Sequence, residues 1–357
     1  MINVTKAFLP PKEEYIEILS TIWDSGWITN GGNQVSTLET KLEEYLGVKN
    51  CIIVSNGTIA LQLAIKCLGI TKEVITTPYS YVATTNAILW ENCKPVFVDI
   101  NPRNFSLNAD LIEKAITQNT QAILATHCYG IPGNLEKIKL IAEKYNLKVI
   151  YDAAHAFDVK VGGDSVLNYG DLSTLSFHAT KIFHTVEGGA LICNDDLLAE
   201  KVKLMRSFGH NGDDYYCLGI NGKNSELHAA MGHAILPHLS GIISRRKEIY
   251  ENYCRNLRDL NKFDFTIIND LDYNYSYYPF IANSENELLL LISYLNEKKI
   301  FPRRYFYPSL NRLPHHRGNT CPISENLSHR VICLPLYFEL ENEQLEYIIE
   351  SIKNFYK

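Results

Sequence analysis

Short apolar runs alternate with amphipathic stretches from residue 50 to about residue 177. The apolar runs, each of strand length, are 51–54, 74–77, 96–98, 122–126, 149–151 and 172–177. The stretches that place apolar residues on one helical face are 58–68, 82–91, 108–117 and 135–145. This alternation predicts an α/β fold with a mostly parallel, doubly wound sheet. Because such sheets bind ligands at the carboxyl ends of their strands, we expect functional residues directly after the runs.

The rest of the chain predicts a smaller α/β domain. The elements predicted after residue 189 are a strand at 190–193, a helix at 196–206, a loop at 211–224, strands at 263–268 and 277–281, and helices at 285–299 and 341–355. A long helical region at 225–257 is interrupted by Pro237 and Gly241, where we expect a hinge. We therefore predict a large domain, 1–240, and a small C-terminal domain, 241–357.

Charge and cysteine content limit the partners of the chain. A formal charge of -6 and a pI near 6.0 disfavour the basic surface that nucleic-acid binding requires. No apolar run approaches the roughly 18 residues of a membrane span, and the first residues lack a signal-peptide pattern. The nine cysteines contain no CxxC pair, which argues against a zinc ribbon and a disulfide scaffold. We expect a cytoplasmic protein without nucleic-acid, membrane or metal partners, whose cysteines mostly lie in the core.

The first chemically informative segment is Ser55-Asn56-Gly57-Thr58, between a predicted strand and a predicted helix. Glycine lets the backbone approach a ligand, and the free amides at a helix N-terminus favour a phosphate. An ordinary helix start, capped by Asn56 or Thr58, explains the same residues. Both interpretations remain open at this point.

Two further segments place a carboxylate and an amine after strands. Asp152 could hold a cationic ring nitrogen or a metal, or it could cap the next turn. Lys181 lies in a small-residue loop before Gly188-Gly189, and a lysine taken alone is most often a surface charge. A phosphate site, an aspartate and a lysine in this order suit an aldehyde cofactor with a phosphate and a pyridine nitrogen. The lysine would form the Schiff base.

Seven segments, in the right order, resemble the sugar aminotransferases of the DegT/DnrJ/EryC1/StrS family. They span nearly the whole chain, at 27–32, 55–61, 77–81, 152–156, 176–189, 219–223 and 334–336. The resemblance implies the fold type I, aspartate aminotransferase-like scaffold with pyridoxal 5'-phosphate (PLP) as cofactor. It also implies a transaminase of deoxy amino sugar biosynthesis, such as that of O-antigen and lipopolysaccharide.

The same resemblance implies roles for individual residues. Lys181 would form the Schiff base and move the proton between donor carbon and cofactor, while Asp152 would pair with the pyridinium nitrogen. The other implied contacts are the Gly57 and Thr58 amides and the Ser176 hydroxyl to the phosphate, Tyr81 stacked on the ring, His155 at its hydroxyl side, and Asn221 to the phosphate of a neighbouring subunit. Many relatives have Gln at the place of His155, so its proton state matters. A homodimer with shared active sites follows from the implied role of Asn221.

Some residues depart from the family pattern or leave their roles open. Lys223 stands where the pattern has Arg, which weakens a bidentate contact. Arg303 and Arg304 are either a solvated basic pair or contacts to a pyrophosphate or carboxylate. Some family members that act as dehydratases have lost the lysine, whereas this chain keeps Lys181. Transamination is therefore favoured.

Two segments bear on the substrate. The Glu187-Gly188-Gly189 ending and the segment 303–310 resemble the branch of the family that aminates C4 of a keto sugar. We therefore expect a nucleoside-diphosphate 4-keto-6-deoxy-hexose, dTDP-4-keto-6-deoxy-D-glucose first among them, with L-glutamate as donor and 2-oxoglutarate as its product. Amination at C3 of a 3-keto-6-deoxy-hexose is the alternative.

Two other protein classes compete with the aminotransferase. A PLP-fold sensor or regulator would keep the phosphate site while tolerating loss of catalytic groups, but Lys181, Asp152 and Tyr81 are all present. A nucleotide-dependent oxidoreductase on a doubly wound sheet is disfavoured because GxGxxG is absent after the first strand.

Overall fold

A seven-stranded sheet forms the centre of the computed structural model, which describes residues 1–261 and 270–357. Its strands in chain order are β1 (Asn50–Val54), β2 (Glu73–Thr76), β3 (Lys94–Phe97), β4 (Thr120–Thr126), β5 (Lys148–Asp152), β6 (Leu172–Ser176) and β7 (Gly189–Cys193). Their spatial order is β1-β7-β6-β5-β4-β2-β3. Only β7 runs against the others, between β1 and β6. The predicted mostly parallel sheet is confirmed.

Both faces of the sheet are buried, which explains why its strands are continuous apolar runs. In β1, Cys51 and Ile53 pack into one hydrophobic cluster, whereas Ile52 and Val54 pack into a second cluster on the opposite face. The alternation follows from the two-residue period of a strand. Helices cover both faces, so the sheet is doubly wound.

Twelve α-helices lie within the described residues. They are α1 (Lys12–Ser25), α2 (Asn33–Leu46), α3 (Gly57–Cys67), α4 (Val82–Trp90), α5 (Ala109–Ala115), α6 (Leu135–Tyr145), α7 (Asp196–Met205), α8 (Glu226–Ile235), α9 (Leu239–Leu257), α10 (Glu285–Glu297), α11 (Pro322–Arg330) and α12 (Asn342–Phe355). Helices α3 to α7, α10 and α12 match predicted helices to within a few residues. Helices α1, α2 and α11 were not predicted.

The long helical region breaks at one of the two predicted positions. Pro237 lies in the short 3₁₀ turn Leu236–His238 between α8 and α9. Gly241 lies inside α9, so the prediction that it interrupts the helix was wrong. Glycine costs about 1 kcal/mol in a helix interior, which the packing of α9 outweighs. Unlike proline, it removes no backbone donor.

A separate hydrophobic cluster joins the C-terminal elements. Strands β8 (Tyr278–Ile281) and β9 (Val331–Leu334) pair antiparallel and pack with α10 and α12. Leu239 at the start of α9 belongs to the sheet cluster, whereas Ile249 further along belongs to the C-terminal one. A domain division at 240/241 remains a proposal. The predicted strand at 263–268 lies outside the described residues.

Several small sheets are formed by strands of two residues each. Ile2–Asn3 pairs with Ile300–Phe301, Lys160–Val161 pairs with Asp164–Ser165 and Leu271–Asp272, His210–Asn211 pairs with Asp214–Tyr215, and Arg312–Leu313 pairs with His316–Arg317. Seven of the nine cysteines are buried, as expected of small core residues. Within the described ranges, no helix is both long and apolar enough to cross a bilayer.

Candidate active site

A cavity of about 400 Å³ opens where the parallel strands of the sheet end. Seven of the eight predicted site residues line it, namely Gly57, Thr58, Tyr81, Asp152, His155, Ser176 and Lys181. Asn221 does not line it. The sheet topology thus brings together residues that lie more than 120 positions apart in the sequence.

The N-terminus of α3 forms a cradle at one end of the cavity. The Asn56 side chain caps the helix by accepting a hydrogen bond from the Ile59 amide at 2.9 Å. The amides of Gly57 and Thr58 belong to the first turn, which has no intrahelical acceptors for them. A Cβ on Gly57 would lie 3.1 Å from Cβ of Ser176, so the glycine lets the serine at the end of β6 approach the helix. The cap therefore leaves the first-turn amides free for an anion, so the two interpretations are compatible.

Asp152 ends β5 and is 5% exposed. Its Oδ2 accepts a hydrogen bond from the Thr84 hydroxyl at 2.7 Å, and its Oδ1 accepts one from the Ala154 amide at 3.2 Å. Burial raises the pKa of the carboxyl, while these hydrogen bonds and the charge of Lys181 oppose the rise. These donors stabilise the buried carboxylate only in part, because burial still raises its pKa. A cationic partner would stabilise it further.

His155 is buried beside the cavity and is neutral. Its Nδ1 accepts a hydrogen bond from the Tyr129 amide at 3.2 Å, so the neutral ring carries its proton on Nε2. Burial holds the pKa of the ring well below its ordinary value, and the charge of Lys181 lowers it further. Tyr129 and Gly130 both have positive φ, and a Cβ on Gly130 would lie 2.7 Å from the His155 carbonyl oxygen. This turn fixes His155 as an Nε2–H donor.

Lys181 lies in the loop between β6 and β7. Its amide donates to the His178 carbonyl oxygen at 2.8 Å, which forms the turn that carries the side chain. Burial lowers the pKa of the Lys181 amine to about 8, against the charge of Asp152, which raises it. A larger fraction of the amine is therefore neutral near pH 8 than for a solvated lysine. A neutral amine is the nucleophilic form.

Aromatic side chains form the other walls of the cavity. Tyr81, at the N-cap position of α4, is 59% exposed. Phe306 lies parallel to the His155 ring with a centroid distance of 5.7 Å, and Tyr277 lies 4.8 Å from that ring. Tyr305 also lines the cavity. Flat walls of this kind suit a planar ring.

Asn221 and Lys223 lie together, away from this cavity. Asn221 is exposed, and its backbone forms an isolated antiparallel β-bridge with Ser207. The Lys223 amine donates to Asn221 Oδ1 at 2.7 Å and lies 4.6 Å from the centroid of the Phe208 ring. The exposed Asn221 side chain is therefore held beside the Lys223 amine.

Arg303 and Arg304 are adjacent in the chain, but their side chains lie in different surroundings. Arg304 donates to Glu285 at 3.0 Å and lies 3.5 Å from the centroid of the Tyr307 ring, so it serves the small-domain packing. Arg303 is exposed and lines the cavity, with its guanidinium 5.5 Å from the centroid of the Tyr305 ring. Of the two, Arg303 is placed to contact an anionic ligand.

The residues of the cavity fit PLP. The Gly57 cradle suits a phosphate, the buried Asp152 carboxylate suits a protonated ring nitrogen, and the Lys181 amine suits an aldehyde. The sequence interpretation missed Ser80, Thr84 and Thr126. Ser80 follows β2 and Thr126 ends β4, so the rule that ligands bind after parallel strands could have found both. Thr84 lies within α4, and no local pattern marks it.

Three comparisons with known proteins agree with this arrangement. The model of the DegT/DnrJ/EryC1/StrS aminotransferase family matches residues 11–353. The chain is 43% identical over 360 residues to dTDP-4-amino-4,6-dideoxy-D-glucose transaminase of Shigella dysenteriae, covering 99% of this chain and 98% of that protein. It is 39% identical over 355 residues to the Escherichia coli protein of the same name, covering 96% and 95%. The crystal structure of DesI in the presence of its TDP-sugar product has a TM-score of 0.93 and 28% identity, covering 99% of this chain and 92% of that one.

Proposed function

Because the chain belongs to the DegT/DnrJ/EryC1/StrS aminotransferase family, we propose that it transfers an amino group from L-glutamate to C4 of dTDP-4-keto-6-deoxy-D-glucose. The product is dTDP-4-amino-4,6-dideoxy-D-glucose, and 2-oxoglutarate leaves. The observation that carries the C4 assignment is the full-length similarity to the Shigella relative. The enzyme class and the PLP cofactor follow from the family itself. Both the non-catalytic sensor and the nucleotide-dependent oxidoreductase are therefore set aside.

The chain holds its cofactor at several points. What PLP supplies when bound is an aldehyde that reacts with amines and a protonated ring that withdraws electrons. The amides of Gly57 and Thr58 and the Ser176 hydroxyl would bind the phosphate. Tyr81 would cover the ring, and His155 would donate its Nε2–H to the ring hydroxyl. Asp152 would carry the negative charge that keeps the ring nitrogen protonated.

Lys181 performs the proton transfer. Its Nζ would be the amine that holds the cofactor's aldehyde group. The lowered pKa, about 8, would let the free amine accept a proton from the donor carbon and deliver it to the cofactor. Since the amine must be neutral to accept the proton, this step is favoured as the pH rises through about 8.

We extend the proposal to a homodimer whose sites are shared. Asn221 lies outside its own cavity, and its exposed side chain beside the Lys223 amine is suited to an anion. Exposed apolar side chains flank it, with Leu218 73% and Ile220 40% exposed. Such a surface is typical of a protein interface. The anion would be the phosphate bound by the partner chain.

Mixing two singly defective proteins tests this sharing. We expect Lys181→Ala and Asn221→Ala chains to recover activity together, because one site of each heterodimer combines an intact Lys181 with an intact Asn221. After random exchange, about a quarter of all sites are intact in both residues. The measurement is turnover against exchange time, with heterodimers counted by native mass spectrometry.

The matched control mixes Lys181→Ala with Asp152→Asn, which both belong to the same chain's cavity. That mixture should show no gain over its parents, because every site keeps one defect. If heterodimers form and the Asn221→Ala mixture also shows no gain, Asn221 does not serve the partner's site.

The position of the new amine is the second test. Given ¹⁵N-labelled L-glutamate and dTDP-4-keto-6-deoxy-D-glucose, we expect nitrogen at C4 without a 3,4-ketoisomerase. Attack requires the carbonyl to lie within about 3–3.5 Å of the cofactor amine, and a 3-keto group lies one ring atom away. NMR identifies C4 because its proton couples to the C5 proton, which lies on the carbon that bears the methyl group. Turnover only after isomerase is added, with nitrogen on C3, would favour the C3 alternative.

The setting of the reaction follows from its chemistry. The nucleotide sugar and glutamate are cytoplasmic metabolites, and nine cysteines without a disulfide, seven of them buried, suit that compartment. We therefore infer a cytoplasmic enzyme of deoxy amino sugar biosynthesis, with O-antigen or lipopolysaccharide as the destination of the sugar. Detection of the amino sugar in surface polysaccharide, and its loss on deletion of this enzyme, tests the destination.

A further inference from the structure

We propose that Thr84 is a positioning residue that holds Asp152 in its charged, fixed orientation, at the end of a chain of three buried hydroxyl groups. The chain runs from Thr126 through Ser80 to Thr84 and ends on the carboxylate. The proposal rests on the proposed function, because it takes Asp152 as the partner of the cofactor's ring nitrogen. It adds three residues that act through Asp152 and that do not react themselves.

Three contacts define the chain. The Thr84 hydroxyl lies 2.7 Å from Asp152 Oδ2, and the Ser80 hydroxyl lies 2.7 Å from the Thr84 hydroxyl. The Thr126 hydroxyl lies 3.1 Å from the Ser80 hydroxyl. All three distances are within the range of good O–H···O hydrogen bonds or close to it.

The charge of Asp152 sets the direction of every bond in the chain. An ionised carboxylate only accepts, so Thr84 must give its single proton to Oδ2. Ser80 must then donate to Thr84, and Thr126 must donate to Ser80. All three O–H dipoles therefore point toward the carboxylate, and each hydrogen bond strengthens the next.

Burial makes this orientation matter. Thr84 is fully buried, and Ser80, Thr126 and Asp152 are each at most 5% exposed. In such surroundings a dipole acts with little screening from water. Burial alone favours the neutral carboxyl, and the Thr84 hydrogen bond is the foremost of the interactions that oppose it.

The fold explains why these residues meet. Strands β5, β4 and β2 are neighbours, and Thr126 and Asp152 are register partners at the ends of β4 and β5. Ser80 follows β2, and Thr84 lies in the first turn of α4. The fold thus brings the three hydroxyl groups together at the cavity, whose wall includes Ser80 and Thr126 but not Thr84.

A purely structural role is the competing explanation, since buried hydroxyl groups need partners. Thr85 offers a matched control for it. This next residue of α4 is also fully buried, and its hydroxyl has no hydrogen-bond partner among the described residues. Thr85→Val removes a buried hydroxyl from the same helix without touching Asp152.

The experiment compares Thr84→Val, Thr84→Ser and Thr85→Val in the enzyme loaded with ring-¹⁵N PLP. A carboxylate that loses its donor becomes more basic and draws the shared proton away from the ring nitrogen. For Thr84→Val we expect the ring ¹⁵N signal to move toward that of an unprotonated pyridine. We also expect kcat to fall about tenfold, as loss of an outer hydrogen-bond partner commonly costs, with KM changed less.

A second measurement uses the cofactor-free protein. Titration of ¹³C-carboxyl-labelled aspartate should give a pKa for Asp152 about one higher in Thr84→Val than in wild type. The Asp152 signal is assigned by its absence in Asp152→Asn. Thr84→Ser should restore both readouts, and Thr85→Val should match wild type. If Thr84→Val folds poorly, Ser80→Ala tests the next link and should move both readouts in the same direction by less.

Two failures can be told apart. If Asp152→Asn moves the ring ¹⁵N signal but Thr84→Val moves it no more than Thr85→Val does, the proposal for Thr84 is overturned and the role of Asp152 stands. If Asp152→Asn leaves the ring signal unchanged, Asp152 is not the partner of the ring nitrogen. The proposal for Thr84 then falls with that premise.

Discussion

Lys181→Ala is expected to abolish turnover while leaving PLP bound through its phosphate. Loss of general acid–base catalysis alone costs about 10²- to 10⁴-fold, and this variant also loses the covalent attachment. We therefore expect activity to fall by about 10⁴-fold or more, which is the largest loss in that range. The cradle at Gly57 and Ser176 is separate from the amine, so equilibrium dialysis should still detect cofactor binding.

Borohydride reduction gives an independent readout of the same residue. Wild-type protein should be yellow, should lose its absorption band on reduction, and should carry the reduced cofactor on Lys181 in a peptide map. Lys49→Ala, which alters an exposed lysine paired with Asp196, should behave as wild type in both assays. A reduced adduct on any other lysine would assign the covalent role elsewhere.

The sheet was predictable because its strands are buried on both faces. Residues such as Ile52 and Ile53 point to opposite sides yet both need apolar surroundings, so a strand becomes a short unbroken apolar run. Helix α1 lacks such a signal, since Ile22 is its only buried residue. Its position depends on packing against α8, where the Tyr15 hydroxyl donates to the Leu227 carbonyl oxygen. Tertiary contacts of this kind leave no local pattern.

The sequence predicts which candidate site residues follow strands, but it does not predict which of their side chains contact one another. Gly57 and Ser176 meet because β7 enters the sheet between β1 and β6, with Gly189 opposite both Val54 and Ser176. A run of apolar residues does not reveal which strand lies beside it or in which direction it runs. The proton state of His155 likewise depends on the Tyr129 amide, which belongs to a different segment. Residues at strand ends can therefore be proposed from sequence, whereas their partners require the fold.

Asp152→Asn is expected to lower kcat by about 10²-fold or more while the fold is retained. The asparagine is nearly identical in shape but carries no charge, so the ring nitrogen loses the partner that keeps it protonated, and a carbanion at the donor carbon is stabilised poorly. Hydrogen bonding explains why folding should survive. The new side-chain oxygen can still accept from the Ala154 amide, and its NH₂ group can donate to the Thr84 hydroxyl, which reverses the direction of the Thr84, Ser80 and Thr126 chain.

Separate measurements test the effect of Asp152→Asn on folding and the effect of the lost charge on turnover. Urea unfolding should give a midpoint close to that of Asp164→Asn, which removes an exposed carboxylate, while only Asp152→Asn loses turnover. The wild-type carboxyl has a raised pKa because it is buried, and it binds its proton as the pH falls. Both proteins should lose activity as Lys181 takes up its proton below about pH 8, but only wild type should lose more at lower pH, because Asp152→Asn has no carboxyl to titrate at this position. Near wild-type turnover in Asp152→Asn would reduce Asp152 to a cap of the following turn, because a group that matters through its charge cannot be replaced by its neutral isostere without cost.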